Sequence, residues 1–480
     1  MRVCILLLCV ATLHAAAALA QTAPGPAVPS GPLSLEQVLQ IAESRSESIA
    51  IARTGIRHAE GEEVRARAAL FPQVTASASY DRSLASEYSG LFNDASTGSS
   101  SSTTASLPFG QANIWRMSLA ASQNIFDFGR IRAQRAQAAV AHTTADLALT
   151  GARAQLLFEV TQAYYNAALG DRLVAIAQAT VTQASATLQQ AEAGFRAGTQ
   201  PEFDVLRARV SRDTLNPNVI RQRVNRDIAL LRLKQLLDLS ADYELRVSEE
   251  LGAEVLPPAP MFATRVTALE SAVTAANVMQ LSLEPTAPVV DRVVVKDAAT
   301  SVRLREVALD AVKAQRMPSV ALTSNYGRVA YPSNIVLPTF NRTNWTVGVN
   351  VQMPILTGGR QRGGEMVAQA DLDQTRVRLR QVEELAALDT RTAWAELIAA
   401  RAAWEATAGT VEQAGRAFEL AGIRYQAGVS TQLELSDARL LLQLAEANRA
   451  QAARDLQIAR ARVALLPDLP LGQPVSRPWS

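Results

Sequence analysis

The chain has 480 residues and a formal net charge of +2, with 19% charged and 48% hydrophobic residues. This balance gives no bias toward a polyanion, so nucleic acid is a poor candidate partner. Both cysteines, Cys4 and Cys9, lie in the first ten positions, which leaves the rest of the chain without disulfide or thiol chemistry.

Residues 1–20 are typical of a secretory signal peptide. Arg2 precedes an apolar run, and the segment ends in the small-residue pattern Ala18-Leu19-Ala20. We expect the mature chain to begin near Gln21, with a linker over 21–33. After this segment, no stretch approaches the roughly 18 consecutive apolar residues of a transmembrane helix. The exported protein is therefore expected to be periplasmic, secreted or a β-barrel.

The remainder of the chain consists of two related repeats. A shift of 230 positions aligns Trp115 with Trp345 and the segment 195–198 with 425–428, and a shift of 246 aligns Tyr80 with Tyr326. We therefore predict repeat 1 over 34–240, an equatorial connector over 241–288, repeat 2 over 289–467 and a tail over 468–480.

Each repeat begins with a short helix, predicted over about 35–70 and 289–316. A strand pair follows, over 72–125 in repeat 1 and 318–357 in repeat 2, because apolar and polar residues alternate there in runs of about ten. Polar loops over 86–110 and 330–342 separate the paired strands.

A Gly-Arg dipeptide then opens a long helical hairpin in each repeat. The hairpins are predicted over 130–238 and 360–466, with tips near 198 and 428. The first helix of each, about 130–197 and 360–427, would extend roughly 100 Å at 1.5 Å per residue.

Four strands cannot close a barrel, and an open sheet edge in lipid leaves backbone groups unsatisfied at several kcal/mol each. Three copies would supply 12 strands around a hydrated lumen, since the face opposite the aromatic residues is polar. Tyr80, Trp115, Tyr326 and Trp345 lie toward the loop ends of their strands and are predicted to form a membrane-interface belt. The alternative is that they are cross-strand core aromatics of a soluble sandwich.

At this point the sequence resembles the TolC, or outer membrane factor, family over nearly the whole mature chain. The resemblance rests on duplicated motifs in a fixed order, namely LFPQVTASASY and RMPSVALTSNY, QNIFDFGR and MPILTGGR, and FRAGTQPEFDVLRARV and YQAGVSTQLELSDARL. It implies a mixed α/β, TolC-like membrane protein: a homotrimer with four transmembrane β-strands per protomer in a 12-stranded outer-membrane barrel. A long α-helical barrel would extend into the periplasm and meet a periplasmic adaptor and an inner-membrane transporter.

The resemblance also assigns roles to residues. It places adaptor docking at the two tips, which here are Ala197, Gly198, Thr199, Ala427, Gly428 and Val429. The alternative for each glycine is that it only ends a helix, where a positive φ is needed.

Around the periplasmic entrance, the family carries acidic residues and a tyrosine, and their matches here are Asp204, Tyr425, Glu434 and Asp437. Such carboxylates would form rings that bind multivalent cations, or would only stabilise helix N-termini. The chain departs from the family at Ser430, where a tethering arginine is usual, and at Phe203, where a polar residue is usual.

The sequence thus predicts a passive outer-membrane duct of a tripartite efflux or type I secretion machine, gated at its periplasmic tips and embedded in outer-membrane lipid. The alternative is a soluble periplasmic coiled-coil adaptor or scaffold. We expect no enzyme, cofactor or metal site, since beyond residue 20 the chain retains only His58 and His142 as histidines and has no cysteine.

Overall fold

The computed structural model describes residues 31–84, 113–249, 251, 256–275, 291–332, 340 and 342–471. The helices are α1 (Leu35–Arg45), α2 (Glu47–Ala68), α3 (Arg130–Arg196), α4 (Glu202–Leu236), α5 (Pro260–Ala275), α6 (Val293–Ala314), α7 (Arg360–Gln426) and α8 (Gln432–Leu465). The strands are β1 (Pro32–Leu33), β2 (Gln73–Arg82), β3 (Asn113–Phe126), β4 (Arg246–Val247), β5 (Ser319–Ala330) and β6 (Arg342–Gln352).

The long helices and most strand ends lie within three residues of their predicted bounds, but β6 ends at Gln352, five residues before the predicted end of the second strand pair at 357. The single helix predicted over 35–70 is wrong, because the backbone of Ser46 has ψ 125°, outside the helical region, and this ends α1. α5 was not predicted, and it lies inside the proposed connector over 241–288. The predicted signal peptide, the loop over 86–110, most of the loop over 330–342 and the end of the tail lie outside the described residues.

The chain divides into two compact units that differ from the two sequence repeats. One unit contains residues 1–52, 149–294 and 384–480, and the other contains 53–148 and 295–383. Each unit therefore draws on both repeats. Long as they are, none of the described helices carries an apolar stretch able to cross a membrane.

The second unit contains an antiparallel sheet with the strand order β2-β3-β5-β6. Tyr80 pairs with Trp115, and Tyr326 pairs with Trp345, so each pair shares one face. A bulge after Asn124 shifts the register of β3. As the outer strands, β2 and β6 each have one edge with no strand pairing in the described part of the protomer.

The junctions between strands and helices are held by side chains. Asp127 accepts from the N–H groups of Gly129 (3.1 Å) and Ile131 (2.6 Å) and thereby caps α3. Arg130 donates to three carbonyls at and just beyond the end of α6, where a cation is favoured by the helix dipole, namely those of Ala314, Gln315 and Met317.

The hydrophobic core of the first unit surrounds Tyr164, a fully buried residue of α3 whose hydroxyl donates to the Leu33 carbonyl at 3.1 Å. A buried ion network lies in the same unit. Asp389 of α7 accepts from Arg292 at 2.8 Å and from Arg462 of α8 at 2.9 Å, and Arg292 is only 4% exposed. The network links residue 292, just before α6, to two long helices.

Candidate functional site at the hairpin tips

Both hairpins turn through the same backbone motif. At the first tip, the N–H of Gly198 donates to the Phe195 carbonyl (3.0 Å) and that of Thr199 donates to the Gly194 carbonyl (2.9 Å). Gly198 has φ +72°, a left-handed conformation that glycine adopts without strain. This pattern is a Schellman C-cap, which satisfies the last carbonyls of α3.

The second tip repeats this geometry at positions 230 residues later. Gly428 has φ +73° and donates to the Tyr425 carbonyl at 3.0 Å, while Val429 donates to the Arg424 carbonyl at 2.9 Å. Ala197 and Ala427 are the last residues before these glycines. All six predicted tip residues therefore lie in the two turns, and both glycines do end helices as the alternative requires.

The predicted acidic residues follow the turns. Asp204 lies in the first turn of α4, and Glu434 lies in the first turn of α8, where the Thr431 hydroxyl accepts from the Glu434 N–H at 3.4 Å. Glu434 also pairs with Arg424 at 3.0 Å, but both side chains are exposed, so this ion pair contributes little. Glu434 and Asp437 line one groove of about 510 Å³ between α7 and α8.

Tyr425 is buried beside the other hairpin. Gln200 donates its amide to the Tyr425 hydroxyl at 3.5 Å. Burial raises the pKa of Tyr425, the hydrogen bond from Gln200 opposes this, and the charge of Asp204 adds to the rise. The hydroxyl therefore stays protonated at physiological pH, and it joins hairpin 2 to hairpin 1.

Two further contacts between the hairpins were missed by sequence reasoning. Arg439 of α8 is only 7% exposed and donates to the Ser211 hydroxyl of α4 at 2.8 Å. Gln432 is also buried and, with its amide turned to satisfy both atoms, donates to the Asp204 carbonyl (3.2 Å) and accepts from the Ala208 N–H (3.1 Å).

Alignment of the two repeats explains why Arg439 contacts the other hairpin. Its counterpart Arg209 pairs with Glu192 of the same hairpin at 3.4 Å. Glycine occupies position 422, which matches Glu192, so Arg439 has no equivalent carboxylate and bonds to the neighbouring hairpin instead.

The four predicted interface aromatics form two cross-strand pairs in the sheet. The ring centroids of Tyr80 and Trp115 are 4.9 Å apart, and those of Tyr326 and Trp345 are 6.3 Å apart. Trp345 is 70% exposed in the protomer, which disfavours the alternative of a soluble sandwich core. Across the residues that the structure describes, no group of three His, Cys, Asp or Glu side chains could hold a metal ion.

The family model for outer membrane efflux proteins matches residues 38–238 and 292–466. The chain belongs to this outer membrane efflux protein family. Comparison with curated protein sequences found no match.

Solved structures with the same fold include three bacterial membrane proteins. A membrane protein from Pseudomonas aeruginosa is 19% identical with a TM-score of 0.71, covering 93% of this chain and 99% of its own. The open state of the Neisseria gonorrhoeae MtrE outer membrane channel is 20% identical with a TM-score of 0.68, covering 91% and 89%. The Campylobacter jejuni CmeC outer membrane channel is 15% identical with a TM-score of 0.68, covering 92% and 87%.

Membership confirms the predicted TolC-like fold and makes the protein an outer-membrane efflux channel, with a helical barrel in the periplasm, rather than an enzyme. This location excludes the alternative of a soluble periplasmic adaptor. Channels of this family are trimeric and work with adaptor and inner-membrane pump partners.

Proposed function

We propose that this outer-membrane efflux channel is a homotrimeric, passive exit duct of a tripartite efflux pump or type I secretion system, gated at the hairpin tips. The observation that carries the gate is the set of contacts between hairpins, above all the bond from Gln200 to the buried Tyr425. A duct that needs no chemistry can be controlled by the separation of its helices alone.

The sheet supports an assembly of several protomers. β2 and β6 are the outer strands of a four-stranded sheet, and their free edges require partners in hydrocarbon. Three protomers would join β6 of one copy to β2 of the next and produce 12 strands. We expect a detergent-extracted trimer from the outer-membrane fraction, and recovery of a soluble monomer would refute this assembly.

Adaptor docking is proposed at the tips, because the two turns present similar backbones and the exposed side chain of Val429. Thr199→Cys and Val429→Cys would be tested for crosslinking to the periplasmic adaptor, with Gly409→Cys, in α7 and away from the tip, as the control. We expect crosslinks from both tip positions. Crosslinking only from position 409 would contradict tip docking.

The acidic residues are proposed to form a ring that holds multivalent cations. Glu434 and Asp437 line the same groove, and three copies would place six carboxylates around one axis. In planar bilayers, Glu434→Ala with Asp437→Ala should weaken current block by hexaamminecobalt(III). Glu405→Ala with Glu412→Ala removes two exposed carboxylates of α7 as a matched control. Unchanged block in the first variant would reduce both carboxylates to helix-terminal charges.

A further inference from the structure

A basic groove lies between α2 and α3, close to the ends of β2 and β3. Arg67, Arg132 and Arg135 line it together with one carboxylate, Glu63, and its volume is about 360 Å³. Glu63 pairs with Arg67 at 3.2 Å. Within the described part of the chain, Arg132 and Arg135 take part in no ion pair, so the groove carries two uncompensated positive charges.

Repeat 2 provides an internal comparison for this groove. The position that matches Arg135 is Glu365, which pairs with Arg316 at 2.5 Å. The match of Arg132 is Arg362, so only the charge at position 135 is reversed and ion-paired in repeat 2. Since both junctions join a strand to a long helix, the folding of such a junction does not require an arginine at position 135.

The apolar face of the sheet, which is proposed to contact lipid, ends at the junction between β3 and α3. The bulge in β3 places Phe126 opposite Val320, on the apolar face that Trp345 and Tyr326 share. Phe126 and Phe128 are both exposed, with ring centroids 4.5 Å apart. Large apolar side chains thus mark the end of the strands that is opposite the aromatic pairs.

The spacing matches the thickness of a lipid headgroup layer. Arg132 and Arg135 lie three and six residues beyond Gly129, or roughly 5 to 9 Å along the helix axis. The polar layer on each side of a bilayer core is about 5 to 8 Å thick. The N–H groups of Gly129 and Ile131 at the start of α3 already donate to Asp127. They are therefore occupied, and any ligand would be held by the guanidinium groups instead.

From this geometry we infer that the groove binds the phosphate headgroup of an anionic phospholipid in the periplasmic leaflet of the outer membrane. Guanidinium groups bind phosphate oxygens through paired, charge-assisted hydrogen bonds. Arg132 and Arg135 hold the phosphate, while Phe126 and Phe128 contact the upper acyl chain. The inference rests on the proposed placement of the four strands in the membrane.

The test measures lipid retention by the full-length trimer. The protein, in detergent with equal amounts of phosphatidylglycerol and phosphatidylcholine, is analysed by native mass spectrometry. We expect bound phosphatidylglycerol to exceed phosphatidylcholine. Arg132→Gln with Arg135→Gln should reduce that preference roughly tenfold to thirtyfold, because each basic residue near a lipid surface contributes about a fivefold factor. Arg135→Glu, which introduces the residue of repeat 2, should reduce the preference as well.

The control is Arg378→Gln with Arg380→Gln, which removes the same charge from exposed positions of α7, about 27 Å from its start. Equal loss in the control would overturn the inference in favour of general electrostatics. Displacement of the lipid by millimolar inorganic phosphate would overturn it in favour of a free-anion site. A changed ion selectivity with unchanged lipid preference would place the arginines in the lumen and refute it as well.

Failure of this inference and failure of the proposed function give different results. An intact, conducting trimer without lipid preference would remove only the headgroup site. A protein that forms neither trimer nor channel would remove the proposed function itself.

Discussion

Ser211→Ala should weaken the connection between the two hairpins and favour their separation at the tip. The substitution removes the acceptor of the 2.8 Å hydrogen bond from Arg439, whose side chain is 7% exposed. Burial also lowers the pKa of the Arg439 guanidinium, which shows that the charged form is held in a poorly solvated site. Leaving such a donor without its acceptor destabilises the joined arrangement.

A hydrogen bond to a charged group contributes about 1.5 to 3 kcal/mol. Its loss would therefore shift the equilibrium between joined and separated hairpins by roughly 10- to 150-fold. Single-channel recording in planar bilayers should show a larger conductance or a higher open probability for Ser211→Ala. Ser211→Thr keeps the hydroxyl and should behave as the wild type.

Glu192→Ala is the matched control, since it removes the partner of Arg209 at the equivalent position of repeat 1. The side chains of Arg209 and Glu192 are 51% and 39% exposed, far more than Arg439, so the change should cost less than about 1 kcal/mol and leave gating unaltered. The reasoning is refuted if Ser211→Ala conducts like the wild type, or if Glu192→Ala opens the channel equally.

Three further substitutions probe stability and pH dependence by thermal unfolding. Asp389→Asn should destabilise the first unit by about 3 kcal/mol, because it leaves buried Arg292 without a counter-charge. As its control, Glu412→Gln removes an exposed ion pair and should cost under about 1 kcal/mol. Equal shifts in melting temperature for the two variants would contradict the buried network. Gly198→Ala should cost about 1 kcal/mol, because φ is +72° there although no atom lies within 4 Å of the added Cβ. Gly409→Ala, inside α7, should instead stabilise by up to about 1 kcal/mol, and a loss at this helical position would show that the backbone argument is wrong. Burial raises the pKa of Glu249, so folding favours its protonated form, and stability falls as pH rises from the usual glutamate value of 4.5 through the raised pKa. Glu249→Gln should therefore raise the melting temperature at pH 7 and have no effect well below pH 4.5; a pH-independent change would refute the assignment.

The repeated motifs allowed the order and the approximate bounds of the main elements to be predicted from the sequence. Alternation over ten residues distinguishes β2 from a helix, and the long Ala-rich segments starting at Arg130 and Arg360 are unambiguous helices. The break at Ser46 was not predicted, because serine is tolerated within helices and only its backbone conformation reveals the end of α1. The missed helix α5 follows the prolines at 257 and 258, which were interpreted as connector signals alone.

At the tips, the sequence located the turns but missed the contacts between them. Gly198 and Gly428 identify the turns, because each turn needs a residue that tolerates a positive φ. The contacts of Gln200 and Arg439 depend instead on which helices become neighbours in three dimensions. Such pairings between positions more than 200 residues apart leave no periodic pattern in a single sequence.

The way in which the two compact units are built limits where the chain could be cut into separately folding parts. Each unit takes segments from both halves of the chain, and β3 of the first repeat is hydrogen-bonded to β5 of the second. A fragment ending at the connector would retain only β2 and β3 of the sheet and would expose the edge that β5 normally covers. Such a half would need a twin to cover that edge, so an ancestral single-repeat protein would have assembled from twice as many chains as its duplicated descendant.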